Sequence, residues 1–214
     1  TPEGDYLING QKMWITNGGF ADIFIVFAKI ENDENLSAFI VEKAFGGIEL
    51  GKEEKKLGIK ASSTVQVFFN NCPVPKENLL ANRCDGFKMA LNILNTGRIK
   101  LAAGSVGGAK FACSNSVQYA TQRFQFEKSI AEFGAIQHKI GEMATRAFAV
   151  ESALYRTGRM IDQKYDELKA AGESDNDAKQ KAIREFAVEC AILKVTGSET
   201  VTYGVDETIQ VLGG

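Results

Sequence analysis

The sequence predicts an α+β chain: an antiparallel β-barrel or sandwich over residues 1–82, followed by part of an antiparallel α-helical bundle over residues 83–214. Two observations carry this. Short apolar runs rich in β-branched and aromatic residues, separated by turn-forming clusters, fill the N-terminal part. From Gly86 onward the apolar residues recur at three- and four-residue steps, the period of helices. Pro73 and Pro75 fall between the two regimes, where a residue without an N–H is expected to end a ladder.

Taken in order, Tyr6-Leu7-Ile8-Asn9-Gly10-Gln11 reads as a hairpin, because Asn-Gly supplies the positive φ angles of a tight type I′ turn. The strand after it carries the only tryptophan, Trp14, two residues from Thr16, so both leave one face. From spacing alone the pair suits a core tryptophan better than an indole wall with a hydroxyl donor for a flat, partly polar ring. Asp22-Ile23-Phe24-Ile25-Val26-Phe27-Ala28, Leu36-Ser37-Ala38-Phe39-Ile40-Val41 and Thr64-Val65-Gln66-Val67-Phe68-Phe69 are further strands. Asn32-Asp33-Glu34-Asn35, Phe45-Gly46-Gly47 and Asn70-Asn71-Cys72-Pro73 are the turns between and after them. The charged run Gly51-Lys52-Glu53-Glu54-Lys55-Lys56 reads as a solvated loop.

In the second part, Ile136, Ile140, Met143, Ala147, Val150, Leu154 and Ile161 form one buried stripe. A helix over residues 135–168 would be about 50 Å long. Glu173-Ser174-Asp175-Asn176-Asp177 ends it and offers a cap to the next helix, where Ile183, Phe186, Cys190 and Leu193 continue the stripe. Gly104, Gly107 and Gly108 cost helix stability, which close approach of a neighbouring helix would explain.

Composition removes several classes of function. With 44% hydrophobic and 24% charged residues the chain is an ordinary globular protein. A net charge of −2 without a basic cluster gives no sign of nucleic acid or an anionic membrane. No apolar run approaches a transmembrane span and no signal peptide opens the chain. Cys72, Cys84, Cys113 and Cys190 are scattered, which suits a reduced intracellular protein without structural zinc. Neither a dinucleotide-binding glycine fingerprint nor a P-loop is present. His138 is the sole histidine, so no histidine-rich metal site can form and no metal ligand is assigned. On the long helix it reads as a surface group or one hydrogen-bonded behind a site.

The run Asn9-Gly10-Gln11-Lys12-Met13-Trp14-Ile15-Thr16-Asn17-Gly18-Gly19 resembles the signature of the acyl-CoA dehydrogenases, nearest to their very-long-chain branch. The resemblance implies that Trp14, Ile15 and Thr16 line FAD, with Trp14 a wall of the isoalloxazine site and the Thr16 hydroxyl near flavin N5. Leu57-Gly58-Ile59-Lys60-Ala61-Ser62-Ser63-Thr64 and Val74-Pro75-Lys76-Glu77-Asn78 are similar to the end of the family's β domain. Gly86-Phe87-Lys88 and Asn95-Thr96-Gly97-Arg98 match the first helix of its C-terminal bundle, which implies that Asn95 and Arg98 lie near the acyl-CoA substrate. From the residues alone Arg98 suits the phosphates of coenzyme A and an inter-helix salt bridge equally.

Arg123-Phe124-Gln125-Phe126 resembles a family segment whose arginine reaches the FAD pyrophosphate of a neighbouring subunit and whose phenylalanine packs on the cofactor. By that match Arg123, Phe126 and Ile130 are cofactor residues. Glu127 stands where the family carries glycine, and Gly134 where it often carries glutamine. Gln210-Val211-Leu212-Gly213-Gly214 matches a segment that touches FAD across the dimer.

The implied reaction is α,β-dehydrogenation of acyl-CoA thioesters in fatty-acid β-oxidation: a carboxylate takes the α proton and the β hydrogen leaves as hydride. The implied partners are an electron-transfer flavoprotein as acceptor and further copies of the chain in a homodimer or homotetramer. The expected location is the cytoplasm of a bacterium or the mitochondrial matrix of a eukaryote. No catalytic base is assigned: most members place it beyond the position of Gly214, and the alternative position holds Gly97. Both ends, Thr1 and Gly214, read as cuts in a longer protein. An acyl-CoA oxidase on the same fold and a non-catalytic β/helical interaction module are the alternatives.

Overall fold

The computed structural model describes residues 1–2 and 4–213. Residues up to Ala90 form one compact unit and those from Leu91 another.

Among the described residues of the first unit lie six strands: β1 (Tyr6–Thr16), β2 (Ile23–Ala28), β3 (Ser37–Glu42), β4 (Ile48–Leu50), β5 (Thr64–Val74) and β6 (Leu79–Leu80). They form two antiparallel sheets of three strands, ordered β1-β5-β4 and β2-β3-β6. Ile8, Phe24, Val26, Phe39, Val41, Val65, Val67, Phe69 and Val74 meet in one core. This is a sandwich and not a closed barrel, because β1 and β2 each pair along one edge only.

The hairpin expected at Asn9 and Gly10 does not form. β1 runs through both residues and pairs with β5, so the partners of this strand are distant in sequence: Asn9 and Asn71 are 62 residues apart. Asn70 and Asn71 together oppose Asn9, which makes them a β-bulge with Asn71 at a φ of 48°. The Asn9 side chain accepts from the Asn71 N–H at 2.8 Å and donates to the Asn71 side-chain oxygen at 3.0 Å. The bulge also keeps the buried face of β5 in register. Val65, Val67 and Phe69 alternate inward, the extra residue resets the alternation, and Cys72 and Val74 are buried in turn. The turn expected over residues 70–73 is therefore part of a strand. Pro73 sits exposed within β5 opposite Leu7, and the strand ends before Pro75.

In the second unit the helical period is realised. Helix α1 spans Gly86–Gln122, α2 Gly134–Ala170, α3 Asp175–Glu185 and α4 Ala187–Leu212; α1 begins within the first unit. Between α1 and α2 lies a small hairpin, β7 (Phe124–Gln125) and β8 (Lys128–Ser129). The α2 stripe is as expected, with Met143, Ala147 and Val150 buried and Thr157 added to it. Ser174 caps α3 by accepting from the Asp177 N–H.

One expectation changes here in part. Gly104 and Gly107 face open space, Gly108 meets α4 as expected, with a Cβ there 3.0 Å from the Val201 side chain, and the closest backbone approach comes from glycines on α4. A Cβ on Gly197 would lie 3.1 Å from the Ala102 Cα, and one on Gly204 would lie 3.9 Å from the Ala109 Cα. Facing them, α1 buries small residues: Ala102, Ser105, Ala109, Ala112, Ser116 and Ala120. The bundle is antiparallel in the up-down-up sense, as expected. Ala102 meets Gly197, Ala109 meets Gly204, and Ser116 donates to Thr208 at 2.9 Å, so α1 and α4 run in the same direction. Helix α2 runs against both, through the pairs Lys110–Glu151 and Lys139–Glu207 and the Arg146 guanidinium 3.9 Å from the Tyr203 ring centre.

Candidate functional site

Trp14 is not a core residue. Lys12 pairs with Val67 and Ile15 with Val65, so β1 carries one extra residue between them. That bulge puts Trp14 at a φ of 55°, left-handed backbone that a bulky side chain rarely adopts. Its indole is 69% exposed, which overturns the buried reading. Thr16 is exposed too, while Ile15 between them packs on the sandwich core. Ile15 thus pins the segment, and its main chain is what it can offer a ligand. Beside Thr16 lies a groove of about 510 Å3, lined by Lys12, Ala21 and apolar residues of β2 and β5.

The turn after Thr16 is clamped from the β4–β5 connection. Ser63 accepts at its carbonyl from the Asn17 N–H at 3.0 Å and at its hydroxyl from the Gly19 N–H at 3.0 Å. The same hydroxyl donates to Glu53 Oε1 at 2.6 Å, and Glu53 Oε2 accepts from the Thr64 N–H at 2.9 Å. The Ser63 hydroxyl first, then the Thr64 N–H, holds the Glu53 carboxyl below the usual glutamate range. Lys56 donates from Nζ to the Ser62 carbonyl at 2.6 Å and to the Thr64 hydroxyl at 3.0 Å. Glycine is required at 18 and 19: a Cβ on Gly18 would lie 2.7 Å from Val65, and one on Gly19 2.5 Å from the Ser63 hydroxyl. Sequence reasoning missed Glu53 and Ser63, because a charged run without a periodic pattern reads as solvated loop. The Gly18-Gly19 pair was the available signal of a close approach.

The helical unit carries the other candidate residues at two ends. Because α1 and α4 are parallel, their C-termini lie together with the start of α2. Arg123 follows α1 directly, donating its N–H to Tyr119 and accepting from the Ile130 N–H at 2.9 Å. Phe126 and Glu127 form the two-residue turn of the β7–β8 hairpin, at φ of 51° and 68°. These are the positive angles of the hairpin turn that sequence placed at Asn9 and Gly10. Glycine would adopt the Glu127 angle freely, and glutamate is strained there. Phe126 is 84% exposed and meets Phe133 edge-on at 6.2 Å between ring centres. At the end of α4, Gln210 and Leu212 are exposed, Val211 is buried in the bundle, and Gly213 closes the helix at a φ of 102°. Gly214 lies outside the described residues.

At the other end of α1, Asn95 is 4% exposed and its side-chain oxygen accepts from Arg98 at 2.9 Å. Neither Arg98 nor Arg123 pairs with a carboxylate among the described residues, so the inter-helix salt bridge is not formed by Arg98. Gly97 faces open space. Burial, then the neighbouring Glu189, pushes the Cys190 thiol up, with Arg98 opposing. His138 is exposed on α2. Among the described residues no acid, cysteine and histidine cluster suits a metal, and no helix is long and apolar enough to cross a membrane.

Comparison with known proteins places these features in a family. Residues 1–72 match the acyl-CoA dehydrogenase middle domain, and residues 84–214 match the acyl-CoA dehydrogenase C-terminal domain. A probable acyl-CoA dehydrogenase of Bacillus subtilis (strain 168) is 48% identical over 209 residues, 98% of this chain and 35% of that protein. The very long-chain specific acyl-CoA dehydrogenase, mitochondrial, of Rattus norvegicus is 42% identical over 217 residues, 98% of this chain and 30% of that protein. The crystal structure of an acyl-CoA dehydrogenase complexed with FAD from Bacillus anthracis superposes with a TM-score of 0.91 at 48% identity, over 100% of this chain and 36% of that one. The chain spans about a third of the length of these relatives. With matches running through both units, the chain belongs to the acyl-CoA dehydrogenase family.

Proposed function

We propose that this chain is the middle and C-terminal part of an FAD-dependent dehydrogenase that forms the α,β double bond of acyl-CoA thioesters. Residues 1–82 are its β domain and residues 83–214 its helical domain. The observation that carries the reading is Trp14: an indole 69% exposed on strained backbone, two residues from an exposed hydroxyl. Strain of about 1–3 kcal/mol at such a residue persists where the surroundings over-determine it, and it gathers at ligand sites. An exposed flat ring, a hydroxyl donor and an arginine without a carboxylate are chemically apt for the ring and the pyrophosphate of FAD.

Bound FAD supplies the acceptor for the hydride that leaves the β carbon. Trp14 lies along the isoalloxazine, Ile15 contributes main chain, and Thr16 offers its hydroxyl near N5. Asn95 and Arg98 hold the acyl-CoA, with a guanidinium free of carboxylates to meet its phosphates. Arg123, Phe126, Ile130 and residues 210–214 serve the cofactor of a second subunit. Arg98 and Arg123 are about 37 Å apart along α1, which supports assigning Arg98 to the substrate of one active site and Arg123 to the cofactor of another in a homodimer or homotetramer. Gly97 carries no side chain, so the α proton goes to a carboxylate elsewhere. An electron-transfer flavoprotein is the proposed acceptor, in a bacterial cytoplasm or a mitochondrial matrix.

Thr16→Val in the full-length protein tests the assignment. Loss of one hydrogen bond worth about 1–3 kcal/mol near N5 leaves FAD bound and slows its reduction by acyl-CoA roughly tenfold or more. Reduction at the unsubstituted rate contradicts the role given to Thr16. A full-length protein that binds no FAD favours the interaction module.

A further inference from the structure

We propose that Glu53 and Ser63 are positioning residues for the flavin-facing segment, fixing the turn that presents the Thr16 hydroxyl. The inference rests on the flavin reading above. Ser63 is only 9% exposed, and both its carbonyl and its hydroxyl are spent on the turn, through the Asn17 and Gly19 N–H groups. Thr64, the next residue, pairs directly with Thr16 across the β1–β5 ladder. Glu53 binds both Ser63 and Thr64, so one carboxylate ties the turn to the strand position opposite Thr16.

The direction of the hydrogen bonds depends on Glu53 being a carboxylate. An ionised carboxylate only accepts, so the Ser63 O–H must donate to it, at 2.6 Å. That leaves a hydroxyl lone pair for the Gly19 N–H, at 3.0 Å. An amide at position 53 has a single accepting oxygen, so it can keep only one of the Ser63 O–H and the Thr64 N–H and turns its NH2 toward the other donor. No Cβ fits at Gly18 or Gly19, so the turn approaches Val65, Ser63 and Glu53 this closely only with glycine at both positions. Lys56 fixes the same connection from its other side, through Ser62 and Thr64. The residue one position before the turn is Thr16. A shift of the turn therefore moves the hydroxyl.

The test is a double-mutant cycle in the full-length holoenzyme, reading the rate of flavin reduction by acyl-CoA and the resting visible spectrum. Ser63→Ala slows reduction about tenfold and shifts the spectrum as Thr16→Val does, with FAD retained. Glu53→Gln does the same more weakly; because Glu53 is exposed, this variant keeps the test valid if Ser63→Ala does not fold. In the Thr16→Val background neither substitution slows reduction further, since both act through that hydroxyl. Slowing that multiplies with Thr16→Val overturns the inference. So does unsubstituted behaviour of both Ser63→Ala and Glu53→Gln while Thr16→Val is slowed, which leaves the flavin reading standing. An unsubstituted protein whose flavin does not respond to acyl-CoA overturns both together.

Discussion

Single residues here show where local backbone and chemistry disagree. Trp14, Phe126 and Glu127 are all held at positive φ, and all three are exposed. A left-handed angle costs an L-residue roughly 1–2 kcal/mol, and none of these recovers it by burial. Trp14 and Phe126 are the two aromatics that the proposed reading gives to FAD, and a cofactor site would account for their strain. Glu127 has no such role, and nothing in the structure explains glutamate there. Glu127→Gly is expected to raise stability by about 1 kcal/mol, seen as a higher urea midpoint with unchanged slope. A lower midpoint would show that the glutamate side chain makes a stabilising contact. The family resemblance marked Glu127 as a departure and Trp14 as a ligand wall. Spacing alone could do neither, because a bulge breaks the two-residue alternation on which that reading relied.

At the level of elements, sequence was most informative where structure is local. The change from a period of two to one of 3.6 near Gly86 is where α1 starts, and the α2 stripe and the Ser174 cap are as read. It was least informative where the partner is remote. Asn9 and Gly10 carry the local signal of a hairpin, yet pairing with β5 buries Ile8 and gives Asn9 a partner 62 residues away. Helix α1 misleads in another way: its bulky residues Leu94, Leu101 and Phe111 are exposed, and alanines and serines face α4. Of Gly104, Gly107 and Gly108 on α1, only Gly108 marks a contact with another helix. Gly197→Val forces α1 and α4 apart and is expected to cost about 3 kcal/mol or more. Gly104→Ala, with open space around it, is expected to stabilise the 214-residue chain by up to about 1 kcal/mol. Thermal unfolding of the two variants distinguishes these outcomes, and equal effects would contradict the packing described.

For the molecule as a whole, exposed apolar residues point outward from the helical unit. On α4, Val188, Ile192, Val195, Val205, Ile209 and Leu212 remain exposed at three- to ten-residue intervals, alongside Leu94 and Leu101 on α1. A face of this kind suits contact with further protein in the proposed assembly. In the proposed oligomer a second subunit would cover this face, and its cofactor would be the one that Arg123 meets. Light scattering at micromolar concentration is expected to show the full-length protein as a dimer or larger, with monomer as the contrary result. The most direct measurement of the central claim is an anaerobic titration of the purified full-length protein with acyl-CoA, following the visible band of its flavin. The account predicts stoichiometric bleaching with formation of the α,β-unsaturated thioester. Purification without flavin, or a flavin band that no acyl-CoA bleaches, would contradict it.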